Sequence, residues 1–151
     1  MAYYADLTEY SYGRTAPDKN VLNIGWLSGD HDYPKGEVSD KDFLNFIKFL
    51  IKTPKNLYRG WHSCEFCINA GFDFRWGEAY YDRPCGNGEI MVKSISGKIY
   101  VAPTLICHYI EVHSYLPPKV FIDAVLYDAP YISVAQMNKY LYKKILDKSN
   151  V

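Results

Sequence analysis

One stretch constrains the fold more than any other: the apolar positions between Val38 and Pro54 have helical spacing, and both ends are marked. Ser39 is a good N-cap, and Asp40 and Asp42 fall in the first turn, where the helix dipole favours negative charge. Val38 and Phe43 occupy the two positions of a hydrophobic staple. Phe43, Phe46, Ile47 and Leu50 then recur on one face, with Leu44 and Ile51 widening the stripe. Pro54 stops the helix, because its ring cannot continue the hydrogen-bond ladder.

The next clear pattern is β. Glu89 to Ile95 and Lys98 to Ala102 are β-rich runs around Ser96-Gly97, which reads as a hairpin. Pro103 is pre-set for the start of a helix, and Leu105, Ile106, Tyr109, Ile110 and His113 fall on one stripe. Leu116-Pro117-Pro118 breaks it. A further helix near Pro118 carries Val120, Phe121, Ala124 and Val125. A last one follows Ser133, with Gln136 completing a capping box and Ile132 and Met137 a staple. Val21 to Leu27 is a strand candidate, and short strands are expected around Leu57 to Trp61 and Glu78 to Tyr81. The stretch from Asn69 to Gly88 reads mostly as a long loop, and ordered loops of that length tend to be functional.

There is no regular alternation of strand and helix. The expected class is therefore α+β: a small antiparallel sheet, with a hairpin near 89–102, packed against several helices. The 151 residues are expected to form a single domain, with an irregular arm over 1–20 and a helical extension over 133–148.

Composition narrows the function. Seventeen basic residues balance seventeen acidic ones, which argues against a general nucleic-acid binder. No apolar run approaches the roughly 20 residues that span a bilayer. Met1 to Tyr12 lack the basic start of a secretory leader, so a cytoplasmic location is expected. The four cysteines should then stay reduced, which favours metal or redox chemistry over a disulfide framework. Tyrosine, at fifteen residues, suits both core filling and a partner-binding surface.

The strongest chemical signal is His62-Ser63-Cys64-Glu65-Phe66-Cys67. Two cysteines separated by two residues can aim both sulfurs at one tetrahedral ion. His62 leaves the chain on the same side as Cys64 if the backbone there is extended. A fourth ligand would come from His108, Cys85 or Cys107, with His113 more remote. Zinc, packed reduced thiols and a redox pair all remain open for this motif. His113 falls about 140° round the helix from His108, at about 100° per residue, so the two are not expected to share an ion.

Two further patterns carry weaker signals. Gly86-Asn87-Gly88-Glu89 reads either as a carboxylate at the lip of a site, acting as base, or as a turn with a capping or solvent-facing glutamate. His108 and Glu111 lie three apart on one helix face and can pair, either at the surface or beside a metal. Nucleophile-elbow, zincin and zinc-deaminase patterns are missing from the sequence.

Arg59-Gly60-Trp61-His62-x-Cys64-Glu65-Phe66-Cys67, Gly86-Asn87-Gly88-Glu89-Ile90, Ala102-Pro103-Thr104-Leu105-Ile106-x-His108-Tyr109-Ile110 and His113-x-Tyr115-x-Pro117-Pro118 with Phe121 resemble, in that order, a family of short uncharacterised bacterial proteins. The likeness covers roughly Tyr10 to Val125. It implies a small bacterial cytoplasmic protein and draws His62, Cys64, Cys67, Glu89 and His108 into one frame. Cys85 and Cys107 lie outside the pattern, and the helix after Ser133 looks like an extension of this chain.

Two functions follow as expectations. One is a small soluble binding module, an immunity or accessory protein that engages a protein partner, with a structural zinc or thiol site at His62, Cys64, Cys67 and His108. The other is a metal-dependent hydrolase in which His62, Cys64 and Cys67 hold the ion with water in the fourth place and Glu89 is the general base. Four protein ligands would favour the first; three plus a water near Glu89 would favour the second.

Overall fold

The computed structural model describes residues 3–10, 18–52, 54, 62–69 and 85–128. Among these the chain forms β1 (Glu9–Tyr10), β2 (Asp18–Asn23), α1 (Lys41–Ile51), β3 (His62–Ser63), α2 (Glu65–Asn69), β4 (Cys85–Gly86), β5 (Glu89–Lys93), β6 (Ile99–Pro103), α3 (Ile106–His113) and α4 (Lys119–Asp123). A π-helical turn, Ala124–Asp128, continues α4. The strands expected near 57–61 and 78–81, the loop between them and the helix after Ser133 lie outside the described residues.

The class is α+β. Four strands form one sheet in the order β1-β2-β6-β5, and β3 pairs with β4 in a separate two-stranded ribbon. The hairpin forms as its turn dictates, with Glu89 opposite Pro103 and Lys93 opposite Ile99. Gly97, at φ 92°, takes the left-handed position, which only glycine adopts at no steric cost. The sheet is mixed and not wholly antiparallel: β2 runs parallel to β6, pairing Val21 with Ile99 and Asn23 with Val101. A parallel neighbour needs a long crossover. Everything from Ile24 to Lys98 supplies it, so no local sequence pattern announces the pairing.

Alternation along the strands sends side chains to two different cores. Ile90, Val92, Tyr100 and Ala102 face the larger one, with Phe43, Ile47 and Leu50 of α1, Ile106 and Tyr109 of α3, and Phe121, Ala124 and Val125. Each of these larger side chains contributes roughly 1.5–3 kcal/mol by leaving water. Phe121 packs edge-on against both Phe43 and Tyr100, with centroids 6.2 and 6.0 Å apart. On the other face, Tyr10, Trp26 and Val101 form a smaller cluster with Tyr4, Val21, Met91 and Ile99 around it. The Trp26 indole N–H donates to the Val101 carbonyl at 3.0 Å.

Helix α1 starts one residue later than the cap at Ser39 implies. Asp40 is the N-cap, and its carboxylate accepts from the Asp42 N–H at 2.8 Å. Gly25 is needed where it stands, at φ 73°, because a Cβ there would lie 3.1 Å from the Ile106 side chain. Its N–H donates to Asp6 Oδ1 at 2.9 Å, while the Tyr115 hydroxyl donates to Asp6 Oδ2 at 2.8 Å. One carboxylate thus clasps the start of the chain to the segment after α3. Among the described residues no helix is long and apolar enough to cross a membrane.

Candidate metal centre

The strand β3 and the helix α2 place the two cysteines. β3 is held extended by pairing with β4, His62 opposite Gly86 and Ser63 opposite Cys85. A side chain on Gly86 would collide with the Thr104 hydroxyl, so glycine allows β4 to lie against the chain following β6. The backbone then turns. The Ile68 N–H donates to the Cys64 carbonyl at 3.1 Å, making Cys64 the first residue of a helical turn. Residues three apart on a turn share a face, and Cys64 and Cys67 both point into the main core, 0% and 6% exposed.

Helix α3 places the histidines. It ends at His113, because Ser114 takes a left-handed conformation at φ 55°. The N–H groups of Ser114 and Tyr115 both close on the Tyr109 carbonyl. The Tyr33 hydroxyl donates to the His113 carbonyl at 2.9 Å, fixing the last turn from outside. Phe66, between the two cysteines in sequence, packs against Tyr109, Tyr33 and the His113 imidazole, with centroids 6.0, 5.1 and 5.2 Å away. The residue that spaces the sulfurs therefore also sets the ring beside them.

The result is a four-residue cluster: the ligand atoms of Cys64, Cys67, His108 and His113 all lie within 4.8 Å of one another. Cys64 Sγ is 3.3 Å from His113 Nε2. Cys67 Sγ is 3.3 Å from His108 Nε2 and 3.4 Å from His113 Nε2. The two Nε2 atoms are 3.2 Å apart. A tetrahedral zinc ion with ordinary bond lengths would set sulfur and nitrogen about 3.5 Å apart and two nitrogens about 3.3 Å apart. The cluster already has nearly these dimensions.

Burial dominates the electrostatics of the cluster. Burial, the neighbouring His113 and, in the opposite sense, Glu111 together bring His108 down to about 4. Burial also lowers His113. Cys64 is pushed up to about 11, chiefly by burial and against the hydrogen bond from the Cys67 backbone. Neutral imidazoles are ready to ligate, while the Cys64 thiol would have to release its proton to a cation.

The positions singled out in the sequence divide clearly. Cys64, Cys67 and His108 come together. His113 joins them, contrary to the angle of about 140° between the two histidines. The spacing signal was present in the sequence: Cys-x2-Cys with a later His-x4-His falls within the usual ligand intervals.

His62 is not one of the four. Strand alternation would have put it beside Cys64, but the chain leaves extended geometry at Cys64 and rotates that sulfur away. Cys107 donates its thiol to Glu111 Oε1 at 3.0 Å, and Lys48 Nζ lies 3.2 Å from the same oxygen. Glu111 is thus engaged with its own helix and α1. Cys85 contributes its backbone to β4, and its side chain lies outside the described residues. His31 is elsewhere, stacked on Tyr3 at 3.8 Å.

Glu89 is neither at the lip of the site nor solvent-facing. It is 0% exposed, and the Tyr10 hydroxyl reaches both of its oxygens, at 2.9 and 2.7 Å. Its strand neighbour Ile90 faces the core that holds the cysteines. Alternation therefore turns Glu89 to the opposite face of the sheet, toward Tyr10.

Residues 2–126 match the family described as Domain of unknown function (DUF7919). The chain belongs to this family. The DUF7919 match contains all four cluster residues and ends just before the π-helical turn does. No curated protein and no solved structure matches the chain.

Proposed function

We propose that this chain is a small protein-binding module built around a structural zinc ion held by Cys64, Cys67, His108 and His113. The supporting observation is the number of converging donors. Four protein ligands fill a tetrahedron and leave no position for a reacting water, and closed, sulfur-containing sites are structural ones. The ion would tie the turn after β3 to the last turn of α3. Helix α2, at five residues, is too short to hold itself in water.

The hydrolase reading needs an open coordination position and a base beside it. Glu89 points to the other face of the sheet, which favours the structural reading. The partner would be a protein, and an immunity or accessory role in the cytoplasm fits a compact module of this kind. Exposed aliphatic residues support a docking role beside the centre: Ile68 follows Cys67 and is 48% exposed, and Val112 precedes His113 and is 59% exposed.

Elemental analysis of the purified protein tests the metal. One zinc per chain, lost on treatment with a strong chelator together with thermal stability, is the expected result. A fully folded protein with no affinity for zinc would remove this reading. Affinity capture from the native host, repeated with Ile68→Asp/Val112→Asp, tests the module: a specific protein lost with the double variant is expected, and undiminished capture would contradict docking beside the centre.

A further inference from the structure

Both sulfur ligands of the cluster come from one helical turn. Their atoms lie within 4.8 Å of each other, and only two residues, Glu65 and Phe66, lie between them, so the two sulfurs can be joined without moving the backbone far. In sites whose thiolates come from distant segments, oxidation must drag those segments together. Here one bond between neighbours would consume every sulfur donor at once. The two imidazoles left behind are neutral donors from a second helix and make a two-coordinate remnant.

We propose that Cys64 and Cys67 form a hydroperoxide-responsive pair whose oxidation to a disulfide expels the metal. The proposal rests on the zinc reading above and adds a regulation to it. Both cysteines are buried, but Cys67 is the less enclosed, at 6% exposure against 0% for Cys64, so oxidation starts at Cys67. The Cys67 thiolate takes the distal oxygen of the hydroperoxide, the O–O bond breaks, and an alkoxide or hydroxide leaves. The Cys64 thiolate then attacks the Cys67 sulfenic sulfur, the S–S bond forms, and hydroxide leaves. Two thiolates are oxidised by two electrons and one hydroperoxide is reduced. Two protons from solvent convert the leaving oxyanions to alcohol and water, or to two waters when the oxidant is hydrogen peroxide.

Loss of the ion removes the tie between the sulfurs and the imidazoles and leaves α2 held by weaker contacts, among them the packing of Phe66 on Tyr109 of α3 and the Glu65 carboxylate accepting from the Gly29 N–H at 2.8 Å. Cys107, hydrogen-bonded to Glu111 and outside the four-atom group, serves as an internal control.

The test uses the full chain loaded with zinc. Hydrogen peroxide is added in modest excess, released zinc is read with a chromogenic chelator, and the cysteines are mapped by mass spectrometry. One equivalent of zinc should leave for each Cys64–Cys67 disulfide formed. Thiol reductant and added zinc should restore the original state, and Cys107→Ser should behave like the wild type. Zinc retained under peroxide, or released with a disulfide to another cysteine or with sulfinic acid at Cys67, would overturn the proposal while leaving the zinc centre standing. A chain that binds no zinc before any oxidant is added would remove both.

Discussion

His108 and His113, five residues apart on one helix, bring their Nε2 atoms to 3.2 Å of each other. Two neutral imidazoles at that distance can share at most one N–H···N hydrogen bond, its donor set by the tautomer, and burial combined with mutual proximity holds His108 down to about 4. A shared cation would convert that crowding into coordination. His113→Ala should therefore abolish stoichiometric zinc binding, and His62→Ala should leave it intact. Metal analysis of both variants checks the assignment; the reverse pattern would return His62 to the site.

Breaking the centre should cost much of the fold's stability, because the energy of binding a structural metal is folding energy. Cys64→Ser, or chelation of the wild type, should lower the melting temperature by roughly 10 °C or more, taking a loss of several kcal/mol at about 3 °C per kcal/mol. Calorimetry or circular dichroism reads this directly. Unchanged melting would contradict a structural role.

The buried pair on the other face of the sheet should behave independently of the metal. Tyr10→Phe removes a hydrogen bond to a carboxylate that is 0% exposed, a loss of about 1.5–3 kcal/mol. Chemical denaturation should show it, with zinc content unchanged. A parallel loss of zinc would mean that Glu89 supports the centre after all.

Asp6 gives a pH dependence with a definite sign. Burial raises its carboxyl from the ordinary 3.8, against the opposing hydrogen bonds from Gly25 and Tyr115. The folded chain thus keeps this proton to higher pH than the unfolded one. The associated stability is full below the ordinary value and is lost as pH rises through the native one. Asp6→Asn keeps an acceptor for the clasp and removes the titration. The stability of wild type minus variant should fall as pH rises from about 4 toward neutrality. Denaturation at a series of pH values checks it, and a constant difference would refute the assignment.

Gly25→Ala should be strongly destabilising, because φ is 73° and the new Cβ would press on Ile106 at 3.1 Å. A cost of about 1–3 kcal/mol is expected from the left-handed conformation alone. Equilibrium unfolding measures it; a neutral variant would show that the segment around Gly25 can shift.

The parts of the fold legible in the sequence are those governed by local chemistry. Helix α1 announces itself through its caps and stripe, and the β5–β6 hairpin through Ser96-Gly97. The parallel pairing of β2 with β6 joins residues separated by most of the described chain, and no short-range pattern encodes it. The same division runs through the site. Cys64, Cys67 and His108, singled out by spacing, come together, whereas His62, which strand alternation sets beside Cys64, is outside the group because the chain leaves extended geometry at Cys64. His113 was hidden because the helical wheel fixes only the direction in which a side chain leaves the axis, whereas the two ring nitrogens come within 3.2 Å.

The central claim is a closed coordination shell of two sulfurs and two nitrogens. X-ray absorption at the zinc edge on the purified protein measures that shell most directly. Two sulfurs at about 2.3 Å and two imidazole nitrogens at about 2.0–2.1 Å are predicted. A shell containing water or carboxylate oxygen in place of one of these ligands, or a protein without zinc, would contradict it.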